Sequence, residues 1–334
     1  MNKRSNFKLF ATCPVVKGIS GAVIMDLQRF SFLEISLLLA EVLEISSYVS
    51  IDATKKHYHH QLDKGIDKFF RYLAKEEYGF FTSTPELFPP LKTKFMTPYP
   101  LHTAIVCIDS QSDYDIEKTF RSIIHLECQY VQIIADSIEM QSNLLEALNV
   151  FNESSAKIVE LIIMGDELCV NQLLSEYNTS DHRIKIIRIG KDSNVVRNNV
   201  GYPILRINSG CKTMSELSEN VTKDTFTCNL LFFEEALEFN VGLNRKLTID
   251  SRGKVKNFFS HQTVFGDVRE NSLHDVLSKD EFQAKWRITN DMIEKCKDCQ
   301  YRYMCLSNSD IVQKNNKYYK LNSCDFNPYK NKWL

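Results

Sequence analysis

The sequence lacks any apolar run long enough to cross a membrane. Its longest runs, such as residues 35–43, are interrupted by Glu41 and fall far short of the roughly 20 residues that a membrane span needs. The first residues, Met1-Asn2-Lys3-Arg4, are followed by neither the apolar core nor the small-residue cleavage site of a secretory signal. We therefore expect a cytoplasmic protein with no membrane partner.

An excess of charge of either sign is also missing. The 41 basic and 42 acidic residues leave a formal net charge of -1, and the sequence pI is about 6.7. Proteins that bind the phosphate backbone of nucleic acids usually carry a clear basic excess. The net charge of the chain therefore predicts no nucleic-acid partner, although a balanced total charge is compatible with local charged patches.

Glycine is scarce, at 11 of 334 residues, and the loops that cradle phosphates depend on it. Gly165 and Gly190 each stand alone after an apolar stretch. Neither a Gly-Lys-Ser nor a Gly-x-Gly-x-x-Gly sequence occurs anywhere in the chain. The sequence therefore predicts no nucleotide-binding loop.

Four cysteines, in contrast, stand at a spacing typical of metal sites. Cys296, Cys299, Cys305 and Cys324 form a Cys-x2-Cys-x5-Cys-x18-Cys pattern, in which one tight turn can point the first two sulfurs at one ion. Free cysteines usually lie in apolar surroundings. The neighbours here are polar or charged: Lys295, Lys297, Asp298, Gln300 and Arg302. The pattern predicts a metal centre, and spacing alone leaves zinc and an iron–sulfur cluster open.

Around these cysteines the sequence resembles the SPASM domain, the C-terminal module of many peptide-modifying radical S-adenosylmethionine enzymes. The resemblance covers residues 244–333 and is closest to the maturases of grasp-with-spasm systems, which modify ribosomally synthesised peptides. The stretches that carry it are Lys246-Leu247-Thr248-Ile249-Asp250, Gly253-Lys254-Val255-Lys256-Asn257, Phe265-Gly266-Asp267-Val268, the cysteine run 296–305 and Cys324-Asp325-Phe326-Asn327-Pro328-Tyr329. The resemblance implies one four-iron four-sulfur cluster on the four cysteines, with Zn2+ as the alternative.

Other cysteines of that family are missing. Ser309 stands where the family has a further cysteine, and residues 257–260 replace those of the preceding hairpin, so a first auxiliary cluster is not expected. A radical enzyme of this class also needs a Cys-x3-Cys-x2-Cys loop. The cysteines of the middle region lie 17 or more positions apart and read as buried thiols: Cys107, Cys128, Cys169, Cys211 and Cys228. We expect no S-adenosylmethionine chemistry, and a role without catalysis is the preferred interpretation.

The first 95 residues predict a winged-helix-like unit. Three short strand candidates cover residues 7–13, 20–26 and 28–32, separated by proline and glycine. A helix is expected at about residues 33–43. A second, amphipathic helix is predicted by apolar residues at helical spacing: Ile66, Phe69, Phe70 and Leu73.

Three strands followed by helices resemble the precursor-recognition element at the front of many peptide maturases. The resemblance implies that a leader peptide adds as a strand beside the third strand through main-chain hydrogen bonds. Candidate contacts are Phe30 and Phe32 on that strand, and Lys64, Lys68 and Arg71 on the helix, which could meet acidic residues of the peptide. A purely structural cap is the alternative interpretation.

Residues 96–238 alternate between apolar runs of strand length and helical stretches. The strand candidates are residues 104–108, 130–135, 158–164 and 184–189. Such alternation predicts an α/β region with a parallel sheet, and the resemblance makes it a degenerate, radical-SAM-like partial α/β barrel. Four acidic residues follow the strands: Asp109, Asp136, Asp166 and Asp192. Helix capping explains them better than catalysis, because no nucleophile or cofactor loop accompanies them.

Residues 239–334 form the predicted SPASM-like metal-binding domain. Together these features predict an accessory protein of ribosomal peptide maturation that binds a precursor peptide. The resemblance implies an ATP-grasp peptide ligase as its partner, with a structural role for the metal centre. An iron–sulfur peptide-modifying enzyme and a zinc-stapled interaction protein are the alternatives. A redox enzyme needs an open ligand position or a second cluster, whereas a scaffold needs only four closed ligands.

Overall fold

A computed structural model describes residues 5–135, 141–151, 154–164, 183–189, 206–208, 221–322 and 324–333 of the chain. Within these residues the strands form one eight-stranded sheet, one three-stranded sheet and three two-stranded pairs, which together with the helices make a mixed α/β protein. In this part of the chain, no helix has both the length and the apolar character needed to cross a bilayer.

The N-terminal unit combines two small antiparallel sheets with three helices. Its elements are β1 (Asn6–Leu9), β2 (Val15–Lys17), β3 (Ala22–Asp26), β4 (Ser31–Ile35), α1 (Leu37–Ser46), α2 (Ile51–His57), α3 (Asp63–Lys75) and β5 (Gly79–Thr82). β1 pairs with β5, and the other strands form a sheet in the order β2-β3-β4. A short 3-10 turn (Pro85–Leu87) then leads into the segment that joins this unit to the rest of the chain.

The amphipathic helix predicted from apolar spacing is confirmed as α3. Its four apolar residues at positions i, i+3, i+4 and i+7 are all buried: Ile66, Phe69, Phe70 and Leu73. Phe70 stacks on Phe7 of β1, with ring centroids 4.7 Å apart and planes inclined by 10°. This contact fixes the helix against the β1–β5 pair.

The predicted boundary between the third strand and the first helix is wrong. Residues 33–35 pair with β3, and the helix begins only at Leu37, after Ser36, whose hydroxyl accepts a hydrogen bond from the Leu39 amide at 3.2 Å. Residues 28–30 form a turn before β4 instead of a strand. Because residues 35–43 are almost continuously apolar, periodicity could not separate the strand end from the helix start. The N-cap at Ser36 was the usable signal.

β3 is buried on both faces and joins two cores. Ala22 and Ile24 pack among the residues of α1 and α3, whereas Val23 and Met25 pack among C-terminal residues that include Tyr301. Successive side chains of a strand point to opposite faces, so a strand with apolar residues at every position can serve both cores. The three-stranded sheet is therefore a middle layer between the N-terminal helices and the C-terminal part.

The eight-stranded sheet crosses the predicted boundary at residues 238 and 239. Its strands and their helices are β6 (Thr103–Ile108), α4 (Ile116–His125), β7 (Tyr130–Ala135), α5 (Gln141–Phe151), β8 (Ile158–Met164), β9 (Ile184–Ile189), β10 (Arg206–Asn208), α6 (Leu230–Glu238), β11 (Lys246–Ile249), β12 (Lys254–Lys256) and β13 (Gly266–Asp267). The order is β10-β9-β8-β7-β6-β11-β12-β13. The part from β10 to β11 is parallel, which confirms the predicted parallel sheet. The division of the chain into three domains stays a prediction.

Several predictions for the middle region lie outside the described residues. These are the thiols Cys169 and Cys211, and the carboxylates Asp136, Asp166 and Asp192. Asp109 is described, and its carboxylate accepts a hydrogen bond from the Gln111 amide at 2.7 Å in the turn after β6. The cap of α4 is Asp115, whose carboxylate accepts from the Lys118 amide at 2.8 Å.

The remaining C-terminal elements are short. They are α7 (Leu273–Leu277), α8 (Asp280–Gln283), β14 (Ile311–Lys314), β15 (Lys317–Lys320), β16 (Phe326–Asn327) and β17 (Lys332–Trp333). β14 pairs with β15, and β16 with β17, both antiparallel. The segment between α8 and β14 carries little regular structure and contains three of the four cysteines of interest.

Replacing Met25 by Ala should lower the free energy of unfolding by about 2–5 kcal/mol, because Met25 is fully buried between β3 and the C-terminal part. The matched control is Met96→Ala, since Met96 is 73% exposed and its truncation should change stability by no more than about 0.5 kcal/mol. Urea unfolding of the two variants measures both effects. Equal losses of stability in the two variants would contradict the conclusion that β3 is shared between two cores.

Candidate metal centre and peptide edge

Three of the four predicted metal ligands lie on one loop, and the fourth lies on the chain that returns past it. Within the loop, the Cys299 amide donates to the Cys296 carbonyl at 3.0 Å and closes a tight turn. The Lys295 ammonium donates to the Cys324 carbonyl at 2.7 Å and ties the loop to the returning chain. All four cysteines, including Cys305, are partly buried, and none of them is in a disulfide.

The thiols share one electrostatic environment. Burial raises the pKa of Cys296 to about 11; Lys320 opposes this shift, and Cys305 and Cys324 add to it. Burial also raises the pKa of Cys299, and the other three thiols raise it further. The pKa of Cys305 is raised mainly by burial as well. Since these three thiols keep their protons at neutral pH, a metal would have to displace protons in order to bind.

The surroundings suit thiolate ligands. The Tyr301 amide donates to the Cys299 sulfur at 3.4 Å, and a backbone hydrogen bond from Ser307 lowers the pKa of Cys305. In both cases the donor lies two residues after the cysteine. Hydrogen bonds to sulfur and nearby cations stabilise clusters that carry negative charge. In chemical type, this donor set fits an iron–sulfur cluster.

The positions of the side chains test the metal site independently of the chemical type of the donors. As the side chains stand, no three His, Cys, Asp or Glu residues in the described ranges form a group that could hold a metal ion. The assignment of Cys296, Cys299, Cys305 and Cys324 as ligands therefore stays a prediction.

The cysteine loop packs directly on the turn between β2 and β3. The Ile19 amide donates to the Asp298 carbonyl at 2.8 Å, and the Arg302 guanidinium donates to the Lys17 carbonyl at 2.7 Å. A Cβ atom added to Gly18 would lie 2.7 Å from the Gln300 backbone nitrogen. Only glycine permits this approach, so the loop and the sheet form one unit.

Tyr301 links the cysteine loop to β4. Its ring is buried and lies 5.9 Å, centroid to centroid, from Phe32 and 4.9 Å from Phe226. Its hydroxyl donates to the Glu34 carboxylate at 2.7 Å, and Lys223 pairs with the same carboxylate at 2.5 Å. Although burial raises the pKa of Glu34, the hydrogen bonds from Lys223 and Tyr301 outweigh it, and the net shift is downward. Sequence reasoning missed this network because its members are far apart in the chain.

The five predicted peptide contacts occupy different places. Phe30 lies in the turn before β4, in a left-handed conformation (φ 56°), with 73% of its surface exposed. Phe32 is on β4, but its ring packs on Tyr301 and is a core contact. Lys64, Lys68 and Arg71 lie on the exposed face of α3. These residues are not brought together with the four cysteines.

The two outer strands of the three-stranded sheet have different surroundings. The cysteine loop bonds to Lys17 at the end of β2 and to Ile19 in the turn that follows it. β4 pairs with β3 on one side, and within the described residues no strand pairs with its other side. The Cys228 thiol donates to the Ser31 carbonyl at 2.9 Å, at the start of this edge. The rest of the β4 edge has the main-chain groups needed to pair with an extended segment.

Asp267 clamps the hairpin of the SPASM-like region. Its side chain is 7% exposed and accepts hydrogen bonds from the Arg269 guanidinium at 2.7 Å and from the Lys254 ammonium at 2.8 Å. The same guanidinium donates to Asp113 at 2.8 Å, which ties the hairpin to the loop before α4. The hydrogen bonds from Arg269, followed by that from Lys254, hold the pKa of Asp267 well below its usual range despite burial.

Comparison with known proteins supports the C-terminal assignment. Residues 241–300 match the family model of the SPASM iron-sulfur cluster-binding domain. The match includes Cys296 and Cys299 and confirms the predicted SPASM resemblance over these residues. It supports iron–sulfur binding by this part of the chain. No curated protein matches the sequence.

Solved structures similar to this chain include SuiB of Streptococcus suis. The crystal structure of SuiB bound to the precursor peptide SuiA matches with a TM-score of 0.36 and 12% identity. The structure of SuiB bound to S-adenosylmethionine matches with a TM-score of 0.36 and 11% identity. Each match covers 91% of this chain and 94% of the SuiB chain.

Replacing Cys299 by Ser should reduce the iron and sulfide bound after anaerobic reconstitution to a small fraction of the unmodified level, because one of four thiolate ligands is lost. Metal analysis and the visible absorption of the cluster measure this. Cys107→Ser is the control, since Cys107 lies on β6, away from the loop, and should leave the metal content unchanged. Stoichiometric zinc without sulfide would favour the zinc alternative, and normal iron in Cys299→Ser would contradict the ligand set.

Replacing Asp267 by Asn should lower the free energy of unfolding at pH 7 by about 1–3 kcal/mol, because charge-assisted hydrogen bonds from Arg269 and Lys254 are weakened. The folded-state pKa of Asp267 is lowered, so its contribution is present above the unfolded pKa of about 3.9 and is lost as the pH falls below that value. The difference between the two proteins should therefore shrink below about pH 4.

Urea unfolding at several pH values between about 7 and 3 tests this dependence. Asp275→Asn is the matched control, because the Asp275 side chain is 76% exposed and its loss should have little effect at any pH. A difference for Asp267→Asn that stays constant across the acidic range would show that the ionised carboxylate is not what stabilises the hairpin.

Proposed function

We propose that this protein is an accessory protein in the maturation of a ribosomally synthesised peptide, acting in the cytoplasm. Its N-terminal unit serves as the winged-helix-like recognition unit of a grasp-with-spasm system and binds the precursor peptide. Its ligase partner is an ATP-grasp enzyme. Cys296, Cys299, Cys305 and Cys324 hold one four-iron four-sulfur cluster in a structural role.

The observation that carries this proposal is the unpaired outer edge of β4. The cysteine loop bonds to the end of β2 and to the turn that follows it, whereas β4 has no strand on its outer side among the described residues. An extended peptide can add to such an edge through main-chain hydrogen bonds, with side chains providing specificity. The N-terminal unit thus offers one edge for a peptide strand.

Basic residues of α3 would give the peptide a preferred composition. Arg29, in the turn before β4, donates to the Glu76 and Glu77 carbonyls at 2.8 and 3.2 Å and so fixes the end of α3 beside that turn. Lys64 and Arg71 are separated by about 10 Å along α3, at about 1.5 Å per residue, with Arg71 nearer to the turn. Together with Lys68 they form an exposed basic row that would attract acidic residues of a bound peptide.

A structural role for the metal centre is supported by its position. The cysteine loop bonds to the end of β2 through Arg302 and Lys17, and Tyr301 within the loop bonds to Glu34 of β4. A metal group bound to this loop would stabilise the layer on which the peptide edge depends, because binding to the folded state alone shifts the folding equilibrium. Residues of this chain, and not the metal group, would orient the bound peptide strand.

Calorimetric titration of the full-length protein with the precursor peptide encoded beside it tests the function. The full chain is needed because Val23 and Met25 of β3 are buried by C-terminal residues, so a fragment of the N-terminal unit would expose them. We expect one peptide per chain. Changing Lys64, Lys68 and Arg71 together to Glu should weaken binding by about tenfold or more and reduce its dependence on salt.

The matched control changes three exposed lysines of the C-terminal part, Lys314, Lys330 and Lys332, to Glu. It alters net charge by the same amount but should leave the affinity nearly unchanged. An unmodified protein that does not bind the peptide would refute the proposed function. Equal losses of affinity in both triple variants would show that the basic row acts only through the net charge of the protein.

A further inference from the structure

A large cavity lies between the eight-stranded sheet and the segments that cover it. Its volume is about 1170 Å³, and its described lining comes mainly from β6, β7 and β8, from α6 and from the loop around residues 306–308. Most of the lining is apolar, for example Ile105, Ile134 and Phe258. Ligand cavities commonly measure about 300–1,000 Å³, so this one has room for a sizeable ligand.

Lys246, the first residue of β11, has its side chain in this cavity. Its register partner is Thr103 of β6, which also lines the cavity. The Lys246 ammonium donates to the Asn308 side-chain oxygen at 3.2 Å, and no carboxylate of the described residues lies within 4 Å of it. Lys246 is partly buried, and the hydrogen-bond partner that the described residues give its amine is a neutral amide, so no direct ion pair with them holds it in the ionised form.

Burial is the main influence on the Lys246 amine. It lowers the pKa of Lys246 to about 8; the Glu235 carboxylate opposes this shift, and the like charge of Lys320 adds to it. Glu235 is itself engaged, because it accepts a hydrogen bond from Asn244 at 2.6 Å and lies 3.5 Å from the Arg245 guanidinium. A desolvated lysine beside a second cation is a recognised arrangement for a nucleophilic amine.

We propose that Lys246 is a carbonyl-reactive amine that forms an imine with an aldehyde or ketone bound in this cavity. The neutral amine adds through its lone pair to the carbonyl carbon, and the carbonyl oxygen takes a proton to give a carbinolamine. Loss of water then leaves the carbon–nitrogen double bond, with no net oxidation or reduction. The apolar lining limits the water available for the reverse reaction.

Other polar groups in the cavity can move the protons that these steps require. Glu235 also lines the cavity, and burial raises the pKa of its carboxyl. His102 is neutral, since burial lowers its pKa to about 4, and its ring nitrogen lies 2.9 Å from the Thr103 hydroxyl. The proposed imine chemistry uses neither the four predicted metal ligands nor main-chain pairing at the β4 edge, so it goes beyond the proposed function.

Reductive trapping tests the proposal. The full-length protein is incubated with butanal and cyanoborohydride, which converts an imine into a stable secondary amine, and labelled lysines are identified by peptide mass mapping. At pH 7.5 roughly a quarter of an amine with a pKa of about 8 is neutral, against roughly a thousandth of an ordinary lysine. Lys246 should therefore be labelled at least about tenfold faster than the exposed Lys64 and Lys68.

Two variants sharpen the result. Lys320→Met removes the neighbouring positive charge and should shift the pH dependence of Lys246 labelling to higher pH, whereas Lys317→Met, on the same strand but exposed, should not. Lys246→Arg keeps the charge and should remove that label alone. If Lys246 in the unmodified protein reacts no faster than the exposed lysines, the proposal is wrong, whether or not the variants fold.

Discussion

Packing of the cysteine loop against the three-stranded sheet holds the N-terminal and C-terminal parts together. Gly18 lets the two backbones approach until the Ile19 amide and the Asp298 carbonyl are 2.8 Å apart. Tyr301 fills the space beneath β4, and its hydroxyl is satisfied by Glu34. A buried hydroxyl without a partner would cost free energy, so this bond also selects one orientation of the loop. The β4 edge and the candidate metal centre thereby share a structural layer.

The eight-stranded sheet likewise joins the middle region of the chain to the C-terminal region. β11 pairs in parallel with β6, although more than a hundred residues separate them, and β12 and β13 then extend the sheet in the antiparallel sense. The SPASM-like hairpin is therefore an edge of the α/β sheet, and Arg269 adds a side-chain connection to Asp113. Residues assigned to two domains on sequence pattern bury a common apolar core.

Local patterns were read correctly where one physical signal dominated. Apolar-rich runs of strand length identified β6, β7, β8 and β9. In β6 nearly every position is apolar, because a strand buried on both faces needs no alternation. The 3.6-residue spacing identified α3. The errors came where two signals overlapped: Pro14 suggested an interruption but precedes a real strand, β2, and the apolar run after Leu33 concealed the change from strand to helix at Ser36.

By itself the sequence determined the kind of chemistry available: four closely spaced thiols, no nucleotide loop, and a C-terminal pattern that matches an iron–sulfur domain. These are local properties, since the type of ligand and its spacing along the sequence can be identified without knowing the fold. Only the tertiary structure decided that β4 has no strand on its outer side among the described residues, that Phe32 is a packing residue, and that Lys246 meets Asn308 in a cavity near the charge of Lys320. Each depends on residues distant in the chain, and such contacts arise only when separate apolar surfaces are buried together.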